Sequence, residues 1–547
     1  MNEHGKILII GSGIAGMSCA VRCAELGLHV QMVSPYPSER SQSVMASGGI
    51  NAVLGLPGED DTIASHIEDT LKGGSYLGGE KAVTGLCESA SDIIAWLEKI
   101  GTVFSRDSSG TVSRRAFGGQ SHKRTCYCGA ATGKQIVTAL VMECREMEVK
   151  GLVERLTGRH FYSALIEDGK CYGALLFNQN TNTLETVYAN ALIMATGGQN
   201  ALFGKTTGST LCDGYAIGQL FRQGAELKNL EFIQFHPTTL ETSQKKMMIT
   251  EAVRGEGGRL FYELDGKRIW FMEDKYGPNG NLMTRDIVAR EISAAPSQVY
   301  LDISFLDPDI IDTRLSEVRD LCAKYRNIDI KKEPIPVTPS VHFFMGGLAV
   351  HMNHETNIRN LFAIGECASM YHGANRLGGN SLLSAIHSAR ITAEALSECS
   401  FPDTVPDFSA YTEAQKKKLT SFTNTESNFP VSYIRDMTAE IMQKHMGIIR
   451  DDDSLNKGLE EIDYCMKISS HLKFDSSVNT YLNYSMESIL ILAKATLLAA
   501  RARCESRGAH WRSDFPDTDP SQQYADIISY DNGAYSIRLD REHEYES

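Results

Sequence analysis

The sequence predicts an α/β protein: a Rossmann-like dinucleotide-binding domain, interrupted by an inserted domain and followed by a helical C-terminal domain. Three observations predict it. A glycine-rich turn follows an apolar run near the N-terminus, in "KILIIGSGIAGMSCA". Two later apolar runs, "NALIMATGGQN" (190–200) and "NIRNLFAIGECA" (357–368), also stop at glycine. Beyond about residue 411 the apolar spacing turns helical, as in "SMESILILAKATLLAARARC".

The elements follow in chain order. Lys6 to Ile10 forms a strand, Gly11-x-Gly13-x-x-Gly16 opens a small-residue helix ending near Gly27, and a second strand ends at Ser34. Glycines at this spacing allow a tight turn, backbone approach to a pyrophosphate and close helix–strand packing. The helix N-terminus adds free N–H groups and the positive end of its dipole. An NAD site wants Asp or Glu where Ser34 stands, so a different dinucleotide is expected. In "RSQSVMASGGINAV" (40–53) the pair Gly48-Gly49 raises the entropy cost of order, so another group must approach the backbone there. The later strands end at Thr196-Gly197 and Gly365-Glu366, the edge of an open sheet where ligands bind. The reading therefore divides the chain into residues 1–230 and 347–410 (nucleotide domain), 231–346 (inserted cap) and 411–547 (helical domain and tail). The polar tail after Phe515 holds a short strand around Ile527–Ile537.

Composition narrows the function classes. A net charge of −14 argues against nucleic acid as a partner, because phosphate binding wants a basic face. No run of about 18 apolar residues is available to span a bilayer, and "MNEHGKILII" lacks the features of a leader peptide. The 13 cysteines are scattered without a CxxC pair, Cys126 and Cys128 being nearest. They read as free thiols of a cytoplasmic protein, with no iron–sulfur or other metal motif in this chain.

Polar candidates cluster in five stretches: "FHPTTL" (235–240), "TEAVRGEGG" (250–258), "MTRDIVAR" (283–290), "VHFFMGGL" (341–348) and "YHGANRLGGNSLL" (371–383). All but "MTRDIVAR" combine a His or Arg with glycine or proline, so loops are expected to deliver the side chains. Two histidines and several arginines in one pocket suit a small dianion, since bidentate Arg is the natural carboxylate clamp.

The stretches "GSGIAGMSCA", "RSQSVMASGGINAVLG", "DTLKGGSYLGG", "RRAFGGQS", "TEAVRGEGG", "HGANRLGGNSLL", "MQKHMGIIR" and "ESRGAHWRSDFP" give the chain a specific resemblance. Over nearly its whole length it resembles the flavoprotein subunits of succinate dehydrogenase and fumarate reductase. The resemblance implies FAD contacts from Gly11, Gly13, Ala15, Gly16, Ser34, Ser41, Gln42, Ser43, Gly48 and Gly49. It implies further FAD contacts from Thr196, Gly197, Asp213, Glu366, Arg376, Ser381 and Leu382. The helix starting near Ser381 would aim its N-terminus at the flavin. His236, Thr250, His342 and Arg376 would hold the two substrate carboxylates, with Phe117 and Gly49 against the carbon skeleton. Arg285 would donate the proton, resupplied through Glu251 and Arg254. Where membrane-bound members carry a histidine bonded covalently to the flavin, this chain has Gln42, so the FAD is expected to be non-covalent.

The implied reaction is hydride transfer from reduced FAD to fumarate, giving succinate, and the expected electron-transfer partner is an iron–sulfur subunit. Attachment to a membrane would then be peripheral, through partner subunits. L-aspartate oxidase shares the fold and lacks the covalent histidine; it and reductases of other unsaturated acids remain alternatives. A non-catalytic flavin electron-transfer subunit is disfavoured by the intact His236, Arg254, Arg285 and Arg376 set.

Overall fold

The computed structural model describes residues 6–545 apart from 57, 130, 244, 400–404, 422–428, 470–471 and 474–479, so the N-terminal "MNEHG" lies outside the described residues. The chain opens with β1 (Lys6–Ile10), α1 (Ile14–Glu25) and β2 (His29–Ser34). β3 (Val153–Thr157) and β4 (Ala191–Met194) join the same sheet, and the strand Leu361–Ala363 completes it. The order is Leu361–Ala363, β4, β1, β2, β3, and every pairing is parallel. β1 and β4 read as unbroken apolar runs because both sheet faces are covered. The glycine turn is forced by packing: a Cβ at Gly11 would meet the Ala195 carbonyl oxygen at 2.2 Å, and one at Gly16 the Gly11 carbonyl oxygen at 2.0 Å.

The insertion leaves and re-enters through two antiparallel strands, β5 (Ile233–Glu241) and β6 (Ile335–Phe344). They belong to a six-stranded sheet with an apolar core of its own around Leu240, Leu260, Leu301 and Ile335. Bulges interrupt the β5–β6 register after Gln234 and after His236, and such irregularities re-aim side chains next to a site. One helical turn, α2 (Ala252–Gly255), and the helix α3 (Arg285–Ser293) carry the insertion's charged residues to the cleft.

Past the insertion, α4 (Asn380–Ser397) packs against α1. Its N-cap Gly379 has φ +89°, and a Cβ there would lie 2.0 Å from Asn51 Oδ1. The longest C-terminal helix, α5 (Thr480–Ala502), buries Leu490, Leu492 and Leu497 in the same apolar cluster as β1 and β4. The C-terminal helices thus share the nucleotide domain's core. Helix contact is close, since a Cβ at Gly218 would lie 2.2 Å from the Ser488 carbonyl oxygen. The tail is more ordered than one short strand. Asp526–Asp531 and Ala534–Leu539 form a hairpin that pairs with Leu227–Lys228, just before the insertion departs. Around that exit Arg503 Nε donates to Glu231 Oε1 at 2.6 Å and Arg450 Nη1 to the Glu231 carbonyl at 2.7 Å. Among the described residues no helix is long and apolar enough to cross a membrane, and no group of His, Cys, Asp and Glu could hold a metal. The cysteines are free and buried except Cys399 and Cys504.

Candidate active site

A continuous cavity of about 820 Å³ runs from the glycine turn, past Gly48 and Gly49, to Arg285 and Arg376. The nucleotide domain, the insertion and α5 all line it. At the first end α1 begins without a side-chain cap, and Ser43 Oγ accepts from Ile14 N–H at 3.1 Å. Ser34, Ser41, Gln42, Thr196 and Gly197 line the wall nearby, with Ser34 Oγ donating to the Tyr36 carbonyl at 2.6 Å. Asp213 is half-buried there, its carboxyl raised by desolvation and accepting from Tyr481 O–H at 2.5 Å. Glu366 is likewise pushed up, to about 7, by burial.

The middle of the cavity explains the glycine pair. A Cβ at Gly49, φ +132°, would lie 2.3 Å from the Cys126 carbonyl oxygen, and one at Gly48 would lie 3.2 Å from the Phe117 ring. The group pressed against Gly49 is therefore the neighbouring strand Thr125–Cys126, while both glycines still face the cavity. Arg115 fixes the segment from outside, donating to the carbonyls of Ser47 (2.9 Å) and Gly48 (2.7 Å).

At the far end Glu251, the N-cap of α2, is 1% exposed. Its Oε2 accepts from Arg285 Nε at 2.9 Å, its Oε1 accepts from Gly118 N–H at 2.9 Å, and Arg254 Nη2 stands 3.2 Å from Oε1. Gly118 must be glycine, since a Cβ would stand 2.7 Å from that same Oε1. Burial would raise the Glu251 carboxyl, but Arg285 and Arg254 outweigh it and hold the group at about 2. Arg285 Nη1 also donates to Gln234 Oε1 at 3.0 Å. Arg376 lies over the Phe343 ring at 4.4 Å, and its Nε is buried without a hydrogen-bond partner. The rings of His236 and His342 meet edge-on at 5.2 Å. Desolvation, reinforced by Arg285, keeps both imidazoles neutral, far below the usual histidine range. His236 Nε2 is buried and unpartnered.

The expected site residues converge with two exceptions. Gly11, Gly13, Ala15, Phe117, Thr250, Ser381 and Leu382 line the same cavity as the residues above. Gly16 does not; it lets α1 approach the Gly11 carbonyl. Arg254 stands behind Glu251, donating to the Asn281 carbonyl at 2.6 Å. The sequence reading missed Gln234, whose only signal was a polar residue inside an otherwise apolar strand, and Asn375, which stands beside Arg376 in a stretch already singled out. It also missed Tyr481, which nothing in a helical pattern marks as a cavity residue; the ring stacks on His160 at 4.1 Å.

A long cavity with a glycine turn and helix N-terminus at one end, and the uncapped α4 at the other, fits a flavin dinucleotide. A family model described as an FAD binding domain matches residues 6–382, and a second, described as the C-terminal part of fumarate reductase flavoproteins, matches residues 435–543. The succinate dehydrogenase flavoprotein subunit of Bacillus subtilis (strain 168) is 35% identical over 543 residues, covering 95% of this chain and 93% of its own. The chain belongs to the succinate dehydrogenase/fumarate reductase flavoprotein family. It is an FAD-dependent oxidoreductase. A fumarate reductase (CoM/CoB) subunit of Methanothermobacter marburgensis is 34% identical, with 96% of each chain covered. The fold agrees with E. coli quinol fumarate reductase at a TM-score of 0.89 and 27% identity, over 98% of this chain and 96% of that one. Membership of this flavoprotein family accounts for the α/β fold, the FAD site and the split of the nucleotide-binding sheet by an insertion.

Proposed function

We propose that this family member reduces fumarate to succinate, with Arg285 as the proton donor. The observation that carries the reading is the buried Arg254–Glu251–Arg285 chain ending at the wall of the cavity. Arginine is a weak acid in water, with a pKa above about 12. It can donate only when held against a developing carbanion and promptly reprotonated. Glu251 contacts both guanidiniums, so it can pass a proton from Arg254 to Arg285.

Bound in its reduced form, FAD supplies the hydride that one alkene carbon receives. The chain's own groups do the rest. Arg376 and His236 line the cavity and each keeps a ring or guanidinium nitrogen without a protein partner, Nε and Nε2, to hold carboxylate oxygens. In the tautomer where His236 Nδ1 accepts from Thr238 N–H (3.3 Å), Nε2–H is free to donate. His342 and Thr250 line the same end, and the Phe117 ring closes on the carbon skeleton. Arg285 then delivers its proton to the second alkene carbon. Holding both carboxylates fixes the alkene relative to that donor, which converts an encounter into a positioned step.

The proposal includes non-covalent FAD, because the Gln42 amide offers no nucleophilic nitrogen for the linkage that a histidine makes. It also includes assembly with an iron–sulfur electron-transfer partner, and peripheral attachment to a membrane through such partners. Relatives whose own names describe them as subunits support assembly. The test is a substrate panel with reduced viologen dye: fumarate, other enoates, succinate with an oxidised dye, and L-aspartate under air. Fumarate should turn over fastest. Aspartate-dependent peroxide outpacing fumarate reduction would replace this reading with an aspartate oxidase.

A further inference from the structure

Gln234 lies at the start of β5, fully buried, where the insertion meets the nucleotide domain. Its Oε1 accepts from Arg285 Nη1 and from Arg376 Nη2, each at 3.0 Å. Its Nε2 donates to Asn375 Oδ1 and to the Arg376 carbonyl, both at 2.7 Å. Asn375 Nδ2 in turn donates to Asp286 Oδ1 at 2.8 Å, on the first turn of α3. One amide thus ties the arginine of the insertion to the arginine of the nucleotide domain. All of its hydrogen-bonding groups are used.

Two guanidiniums sharing one acceptor repel each other, and a carboxylate would be the obvious residue to place between them. The chain instead uses a neutral amide. The consequence lies in the charge left over. Arg285 and Arg254 both pair with the Glu251 carboxylate, and Arg376 forms no ion pair among the described residues, so guanidiniums outnumber the carboxylate they touch. Burial and Arg285 hold His236 and His342 well below the usual histidine range, so neither imidazole adds to the charge. An excess of guanidinium over carboxylate at the cavity wall suits an anionic substrate that brings carboxylates of its own.

We infer that Gln234 is a positioning and specificity residue: its neutral amide sets the spacing of Arg285 and Arg376 and keeps their charge available for a dianionic substrate. This deepens the proposed function and rests on its assignment of the arginine pair. An ionised side chain at the same place would satisfy the arginines from within the protein. It would also turn an acceptor toward Asn375 Oδ1 and the Arg376 carbonyl, which the amide now serves as donor, and the substrate would lose.

The experiment uses FAD-loaded full-length protein with Gln234→Glu and Gln234→Met. Malonate binding is read from the flavin absorbance, with propionate as the singly charged control. Fumarate KM, kcat and the melting temperature complete the set. Gln234→Glu should bind malonate at least about tenfold more weakly, with little change for propionate. Gln234→Met, which removes the shared acceptor, should raise KM and lower kcat by about tenfold each. A purely structural role gives the reverse order, with the isosteric Glu nearer to wild type than Met. Wild-type malonate affinity in Gln234→Glu overturns the inference. If Gln234→Met fails to load FAD, the Glu variant alone decides. A wild-type enzyme that binds malonate but leaves fumarate unreduced sinks the proposed reaction and not this inference; one that binds no dicarboxylate sinks both.

Discussion

Replacing Arg285 with Gln should separate catalysis from cofactor binding and expose the cost of the buried ion chain. The variant removes the donors at 2.9 Å from Glu251 and 3.0 Å from Gln234. Loss of a positioned acid lowers turnover by about 100- to 10,000-fold. FAD content should stay near the wild-type level, because Arg285 belongs to the insertion rather than to the glycine turn. The stability effect has a definite sign with pH. Glu251 is held at about 2 against an ordinary 4.5, a gap worth roughly 3 kcal/mol of folding free energy. Its folded value is depressed, so that contribution is complete above about pH 4.5 and is lost as pH falls toward 2. Burial opposes the depression, Arg285 is the larger of the two charges that overcome it, and Arg254 remains in the variant. The variant should therefore lose much of that contribution at neutral pH, and the difference from wild type should shrink as pH falls toward 3. Denaturant titrations at pH 7 and pH 3, beside a dye-linked fumarate assay, measure both effects. Retention of half the wild-type turnover would refute the proton-donor role. A stability difference as large at pH 3 as at pH 7 would refute the electrostatic account.

Three further outcomes are expected. Acid or heat precipitation should leave the flavin in the supernatant, because Gln42 cannot bond to it covalently; flavin remaining with the pellet would contradict this. Gly379→Ala should destabilise the protein by several kcal/mol and weaken FAD retention, since φ is +89° and Asn51 Oδ1 already fills the Cβ position, as thermal melts with and without added FAD can show. Fumarate reduction should run well ahead of succinate oxidation with matched dyes, and a Gln42→His variant that acquires covalent flavin should move the ratio toward oxidation; wild-type protein that oxidises succinate faster would defeat the argument.

How far the sequence was legible depends on whether a residue's role is local. The glycine turn, the buried strands and the one-turn spacing of Glu251 and Arg254 follow from near neighbours, and the chain folds there as its local pattern dictates. The glycine pair was legible as a close approach, but the approaching group was not. Cys126 is far away in sequence, and only the pairing of Ile50 with Cys126 brings it near. Gln234 carries no pattern that marks it, because its importance lies in two arginines delivered from other parts of the chain. The C-terminal helices showed their period and hid their partner, since an apolar stripe does not say which core it joins.

The tail hairpin has a consequence for how the protein is made. Leu227–Lys228, at the exit to the insertion, can pair fully only once Asp526–Asp531 exists, and Glu231 waits for Arg450 and Arg503. A ribosome therefore releases nearly the entire chain before the joint between insertion and nucleotide domain is locked. Until then the buried glutamate at that joint has no arginine to neutralise it. Chains cut short by even the last few dozen residues would carry an intact glycine turn and an intact proton path on a loose joint, open to proteases. The joint between the two domains whose residues line the cavity is thus closed by residues far along the chain, as in the bond from Asp526 N–H to Asn229 Oδ1, 297 positions apart.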